Sequence, residues 1–248
     1  MRAILTWHSL DCSGSPISVA PEEFRRQVQW LAASRIAVVG VERLLDLPDD
    51  ADAAALTFDD GFANFAVEAA PVLGEYGFAA TIFVVTGHVG GDNRWGGLEQ
   101  PGIPSLPLLD WDQLARLRDN GFTLGAHTRS HPRLPGLEGP ALDEEISGAS
   151  EEMAARLGTR PAGFAYPYGD ASGLAAESVA RSYRWACTTE LRALKGKPSA
   201  HLLPRIDAWY LRAPARRAGW GSRPFRTWLW SRRQGRRAGG WLRGAAAR

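Results

Sequence analysis

Short apolar runs recur along the chain, and most of the segments between them carry helical spacing. Met1 to Trp7, Ile36 to Val39, Ala53 to Phe58, Ala79 to Val85, Phe122 to Ala126, Gly163 to Tyr166, Trp185 to Thr188 and Leu202 to Ile206 read as strands. Ala79 to Val85 is β-branched and aromatic enough for a strand buried on both faces. Pro21 to Ala33 has a helix start and the apolar spacing Phe24, Val28, Leu31. Glu42 to Leu47 reads as a short helix and Phe62 to Tyr76 as one interrupted at Pro71. Trp111 to Asn120 ends at Gly121, Leu142 to Leu157 is acidic and closes at Gly158, and Ser172 to Tyr183 is the last helix of the body. Gly87 to Leu109 is rich in glycine and proline without periodicity, the pattern of a functional lid or a disordered loop. Strands alternating with helices imply a parallel sheet, and seven or eight such units imply a closed or nearly closed barrel.

Composition fits one substantial core: 248 residues, 45% hydrophobic and 23% charged. Charge changes the picture more. From Tyr210 onward there are 11 arginines and no acidic residue, which leaves 18 basic against 27 acidic groups before it, a formal balance of −9 under a whole-chain charge of +2. The expected division is a body over 1–209 and an Arg/Trp-rich tail over 210–248. Two cysteines, Cys12 and Cys187, do not make a disulfide framework, and Cys187 reads as a small core residue. The first apolar run is too short for a signal-peptide core and no stretch is long enough to span a bilayer, so the expectation is a cytoplasmic protein.

Three motifs follow strands in order. Thr57-Phe58-Asp59-Asp60-Gly61 places adjacent carboxylates at a strand's carboxyl end, where α/β folds build sites. A turn beginning at Asp60 would bring both into one cavity, one for a metal and one free to move protons; a helix cap at a corner fits the same residues. His127-Thr128-Arg129-Ser130-His131 sets two imidazoles at i and i+4, the spacing of one helical turn, and two nitrogens with one carboxylate oxygen make an open hydrolytic metal site. Alone, HxxxH fits two solvated histidines equally well. Tyr166-Pro167-Tyr168-Gly169 reads as a rigid turn. His8, Asp59, Asp60, His127, Tyr168 and Arg205 each follow or close a strand and so converge on one rim of the expected barrel.

Taken together, the ordered motifs resemble the polysaccharide deacetylase family, also called the NodB-homology or carbohydrate esterase family 4 domain, from about Arg2 to Asp207. The resemblance implies a distorted (β/α)7 barrel followed here by a basic C-terminal extension. It implies Asp59 as base, Asp60, His127 and His131 as ligands of one divalent metal, and the Tyr168 backbone N–H, within Pro167-Tyr168-Gly169, as part of an oxyanion site. The metal would acidify water and polarise an acetyl oxygen. Zinc suits two histidines and an aspartate; cobalt, nickel, manganese or iron could occupy the same set.

The chain departs from that family's pattern in two places. Ala165 stands where the third motif usually begins with an arginine that pairs with the base; Arg205 is the candidate replacement, and an ordinary ion pair is the plainer role for it. The usual late Leu-x-His motif has no clean match, because His201 precedes its strand. His8 after the first strand is the candidate acid instead, as in the branch similar to poly-N-acetylglucosamine deacetylases; a hydrogen-bonded loop histidine is the alternative. Trp95, Trp111 and Trp185 are aromatic enough to meet a sugar, and each also fits ordinary packing.

The leading expectation is therefore a metal-dependent deacetylase acting on an acetylated carbohydrate, N- or O-linked; a catalytically inactive sugar-binding barrel of the same fold is the alternative. Magnesium phosphotransfer fits poorly, since that ion rarely recruits two histidines. The tail interleaves arginines with Trp220, Phe225, Trp228, Trp230 and Trp241. A solvated extension, docking on the acidic body and peripheral contact with the inner face of the membrane all fit it, and no nucleic-acid partner is expected. The sequence does not specify an oligomeric state.

Overall fold

The computed structural model describes the backbone of residues 1–246 and the side chains of 1–236. In chain order the elements are β1 (Arg2–Trp7), α1 (Pro21–Ala33), β2 (Ala37–Val38), α2 (Val41–Asp46), β3 (Ala53–Phe58), α3 (Ala70–Glu75) and β4 (Ala80–Val84). There follow α4 (Trp111–Asp119), β5 (Thr123–Ala126), α5 (Gly139–Leu157), β6 (Gly163–Ala165), α6 (Gly173–Ser182), β7 (Trp185–Leu191), β8 (Leu203–Asp207), α7 (Pro214–Ala218) and α8 (Arg223–Ala246). All strand pairs are parallel, and β1 pairs with both β3 and β8, so seven strands close a barrel. The eighth, β2, is a two-residue strip on the foot of β3. The ring is uneven: β1 and β3 pair from Arg2↔Ala53 to Trp7↔Phe58, whereas β5 meets β6 only through Ala126↔Phe164. The distorted (β/α)7 architecture expected from the sequence is the one observed.

Strand parity decides what faces inward. On β1, Leu5 and Trp7 point out under the helices while Ile4 and Thr6 point in; on β3, Leu56 and Phe58 point out while Ala55 and Thr57 point in. The outer layer is the larger core, where Phe24, Val28 and Leu31 of α1 meet Trp7 and Phe58 as the helical spacing requires. The inner layer is narrow. A Cβ at Gly163 would lie 2.3 Å from the Trp185 ring and one at Gly125 2.5 Å from Phe83, so these glycines make room for the two aromatic rings that fill the barrel. Trp185 is thus interior packing rather than a sugar-facing wall, and Trp111 packs against the outer core.

One local expectation changes. The segment after β3 is a turn and one stretch of π-helix (Phe65–Ala69) leading into α3, rather than a helix from Phe62. The tail is helical and docked over its described part: Phe225 and Leu229 are buried in the outer core, Arg217 pairs with Glu23, and Arg233 pairs with Glu190. The side chain of Trp241 lies outside the described residues. No helix among the described residues is long and apolar enough to cross a membrane. The cysteines are unpaired, Cys12 exposed and Cys187 buried.

Candidate active site

The inward parity of β3 continues past its end, so Asp59 follows Ala55 and Thr57 into the barrel mouth, just as His8 follows Ile4 and Thr6 on β1. Asp60 has the wrong parity for that cavity, and the backbone corrects it: φ is +70° at Asp60 and +74° at Gly61, and the chain doubles back to put both carboxylates on one wall. Among the described residues, four non-glycines have positive φ, and the others are Thr128, His131 and Tyr168. Each such conformation costs about 1–3 kcal/mol, and all four cluster around this cavity.

His127 and His131 do not sit on a helical turn. They lie on a loop after β5 that bends at Thr128 and again at His131. Thr128 Oγ1 accepts the His131 backbone N–H at 3.0 Å, and Glu145 of α5 accepts the N–H groups of Arg129 and Ser130 at 2.9 Å. His127 Nδ1 lies 2.7 Å from the Ala165 carbonyl, which makes Nδ1 the donor and leaves the Nε2 lone pair facing Asp60. Both Nε2 atoms lie 3.4 Å from Asp60 Oδ1.

This trio fits a divalent cation. Donor atoms of Asp60, His127 and His131 all lie within 4.8 Å of one another, and Asp60 Oδ1 is buried without a hydrogen-bond partner. Tetrahedral coordination with metal–ligand distances of about 2.0–2.1 Å sets neighbouring donors about 3.3–3.4 Å apart, which matches both Nε2–Oδ1 separations. Burial pushes the Asp60 carboxyl up, but the two adjacent imidazoles outweigh it and hold the group well below the usual range. Burial pushes His131 down, toward the neutral ligand form. At His127 burial acts the same way, yet the Asp60 and Asp59 carboxylates raise it overall.

Asp59 is buried beside this trio and bound to something else. Arg205, reaching inward from β8, forks across it with Nη1–Oδ1 at 2.6 Å and Nη2–Oδ2 at 2.7 Å. The guanidinium is fully enclosed: Nε donates to the Thr188 carbonyl at 2.9 Å and Nη1 to Thr6 Oγ1 at 3.1 Å. Burial raises the Asp59 carboxyl, but Arg205 first, then His127 and His8, bring it below the ordinary value. Arg205 therefore occupies a place behind Asp59 and not on the cavity wall, and Ala165 leaves its carbonyl to His127. His8 is about one quarter exposed, with Nε2 3.6 Å from Asp59 Oδ2.

The cavity itself, of roughly 110 Å³, is lined by these residues and by Asn93, Trp95, Gln100, Ile103, Tyr168 and Thr189. The Tyr168 ring lies 4.8 Å from that of His131 and the Trp95 ring 4.6 Å. Pro167 is buried, and Gly169, at φ +76°, is packed so tightly that a Cβ would lie 2.0 Å from Thr189 Oγ1; together they fix the turn that carries Tyr168. His201 is elsewhere, its Nε2 3.0 Å from the Tyr183 carbonyl. Sequence reasoning missed Asn93, Gln100 and Ile103 and left Trp95 open between sugar contact and ordinary packing. The only signal for them was the length of the 87–109 loop. A larger groove, of about 790 Å³, lies on the outer surface against Pro71, Phe78 and Leu117, with none of these groups in its lining.

The family model described as polysaccharide deacetylase matches residues 46–183. The Bacillus subtilis (strain 168) protein YxkH, which bears that family's name, is 26% identical over 211 residues, covering 82% of this chain and 70% of the relative. A poly-beta-1,6-N-acetyl-D-glucosamine N-deacetylase of Staphylococcus epidermidis is 24% identical over 203 residues, 76% of this chain and 67% of its own length. In fold, the Streptococcus pyogenes deacetylase PplD in complex with acetate superposes with a TM-score of 0.69 at 22% identity, covering 83% of this chain and 91% of that one. IcaB from Ammonifex degensii gives 0.69 at 22% identity over 84% and 94%.

Proposed function

Because the chain belongs to the polysaccharide deacetylase family, we propose that it hydrolyses acetyl groups from an N-acetylated sugar, glycolipid or polysaccharide, with O-acetylated sugars as the second substrate class. The observation that carries this reading is one buried carboxylate, Asp59, held apart by Arg205 beside a separate cluster of three cation donors. A base that is also a ligand could not do both tasks; here they fall to adjacent residues.

Asp60, His127 and His131 would hold one divalent ion, and two nitrogens with one carboxylate oxygen suit zinc. When bound, that ion supplies Lewis acidity, polarising an acetyl carbonyl and acidifying water. Asp59, ionised by its contact with Arg205, takes the proton of the attacking water. His8, partly exposed at the mouth beside Asp59, is placed to return a proton to the departing amine, so that acetate and a free amino sugar are released. The Tyr168 backbone N–H would serve the developing oxyanion, and the Tyr168 and Trp95 rings line the cavity that an acetyl group would enter.

The test is acetate release from a panel of acetylated oligosaccharides and glycolipids, with and without chelator, for the parent chain and Asp59→Asn. Release that stops with chelator and with Asp59→Asn is expected. Release that survives both would remove the mechanism, and a parent chain that binds acetylated sugars but releases no acetate would favour the inactive sugar-binding barrel.

A further inference from the structure

The site leaves unused a belt of aromatic rings and guanidinium groups where the chain leaves the barrel. Thr6 of β1 pairs with Asp207 of β8, so Trp209 emerges level with His8, each two residues further on. Trp209, Tyr210, Trp228 and Phe225 then follow one another in ring contact, with centroids 5.3, 5.8 and 5.8 Å apart. Over them lie Arg212, 4.1 Å from the Trp209 ring, Arg216, 4.2 Å from Trp228, and Arg232, 5.6 Å from Tyr210. Trp209, at the head of this belt, is 38% exposed.

Three properties of this belt point to the same ligand. Its charge is of one sign, with no acidic residue from Tyr210 on, against −9 for the rest of the chain. Its arginines face rings rather than carboxylates, which leaves their guanidinium forks available for phosphate. Its exposed indole, Trp209, has the amphipathic character that settles at the headgroup level of a bilayer. A nucleic-acid duplex would answer the charge but gives an exposed Trp209 nothing to enter. We propose that this belt is a membrane-surface contact selective for anionic phospholipid, and that it sets the strand-end rim of the barrel beside the bilayer. The inference stands on the belt alone and does not require the deacetylase reading.

The experiment uses the full chain with vesicles of phosphatidylcholine alone or with about one third phosphatidylglycerol, read by co-sedimentation and by tryptophan emission. Binding at least about tenfold tighter to the anionic vesicles is expected, with a blue shift on binding and partial release by salt. Arg212→Gln with Arg216→Gln should weaken it roughly tenfold or more, and Trp209→Ala several-fold, with melting temperature and acetate release unchanged because these side chains lie outside the site. Equal binding to both vesicles, no binding, variants that bind like the parent, or a preference for duplex DNA over anionic vesicles at the same salt would each overturn the proposal.

Discussion

Arg205 grips both oxygens of Asp59 from beneath, and nothing else in the site binds that carboxylate so closely. The residue arrives from β8, while the family's usual partner stands on the strand now bearing Ala165. Position inside the barrel, not position in the sequence, is what the carboxylate requires. Arg205→Lys keeps the charge but loses the paired bonds, so turnover should fall at least about tenfold, or about 1.4 kcal/mol, in a folded protein. Arg205→Met leaves a buried carboxylate without its counterion, and urea unfolding should show a loss of about 3–5 kcal/mol. Parent-like turnover in the lysine variant would mean that Asp59 does not depend on the fork.

Metal content gives a second test. The purified chain should retain one divalent ion by elemental analysis, and His131→Ala should lose it while keeping the fold, since His131 is held on a loop outside the strands. Zinc at about a hundred times its dissociation constant should stabilise the parent by about 2.7 kcal/mol and leave the variant unmoved. Equal stabilisation of both would place the ion elsewhere.

His8 should separate acid from ligand. His8→Ala is expected to cut turnover by about 10²–10⁴-fold with metal content intact. A hydrogen-bonded bystander would leave turnover near the parent value.

Cys187 provides a pH-dependent readout away from the ligands. Burial within the barrel pushes its thiol from 9.0 up to about 12. The folded state therefore holds the proton more tightly than the unfolded chain, so this contribution to stability is present below about pH 9 and is lost as pH rises toward 12. Cys187→Ala should flatten that alkaline decline in a series of unfolding curves. In the native parent only Cys12 should react with a thiol reagent at mild pH.

Much of this site was legible in the sequence because strand parity and strand ends are local properties. Asp59 follows Ala55 and Thr57 in phase, His8 follows Ile4 and Thr6, and these alternations need no tertiary knowledge. The arrangement of His127 and His131 was not legible, since i and i+4 spacing suggests a helical turn and only Thr128 and Glu145 hold the loop that replaces it. Trp95 was left open between sugar contact and packing for a similar reason: a loop without periodicity gives no direction to its side chains. The docking of the tail depended on Phe225 and Leu229 finding the outer core, a contact between segments that composition alone leaves open among docking, solvation and membrane contact.

The seam between β5 and β6 has one further implication. It has a single paired rung, and the next bond above it runs from the imidazole of His127 to Ala165. The back of a ligand thus serves as a stitch in the wall, so a descendant relieved of its chemistry would still be under pressure to keep that histidine. Survival of the motif in a silent relative is then no proof of turnover, and inheritance of the site is partly inheritance of the container.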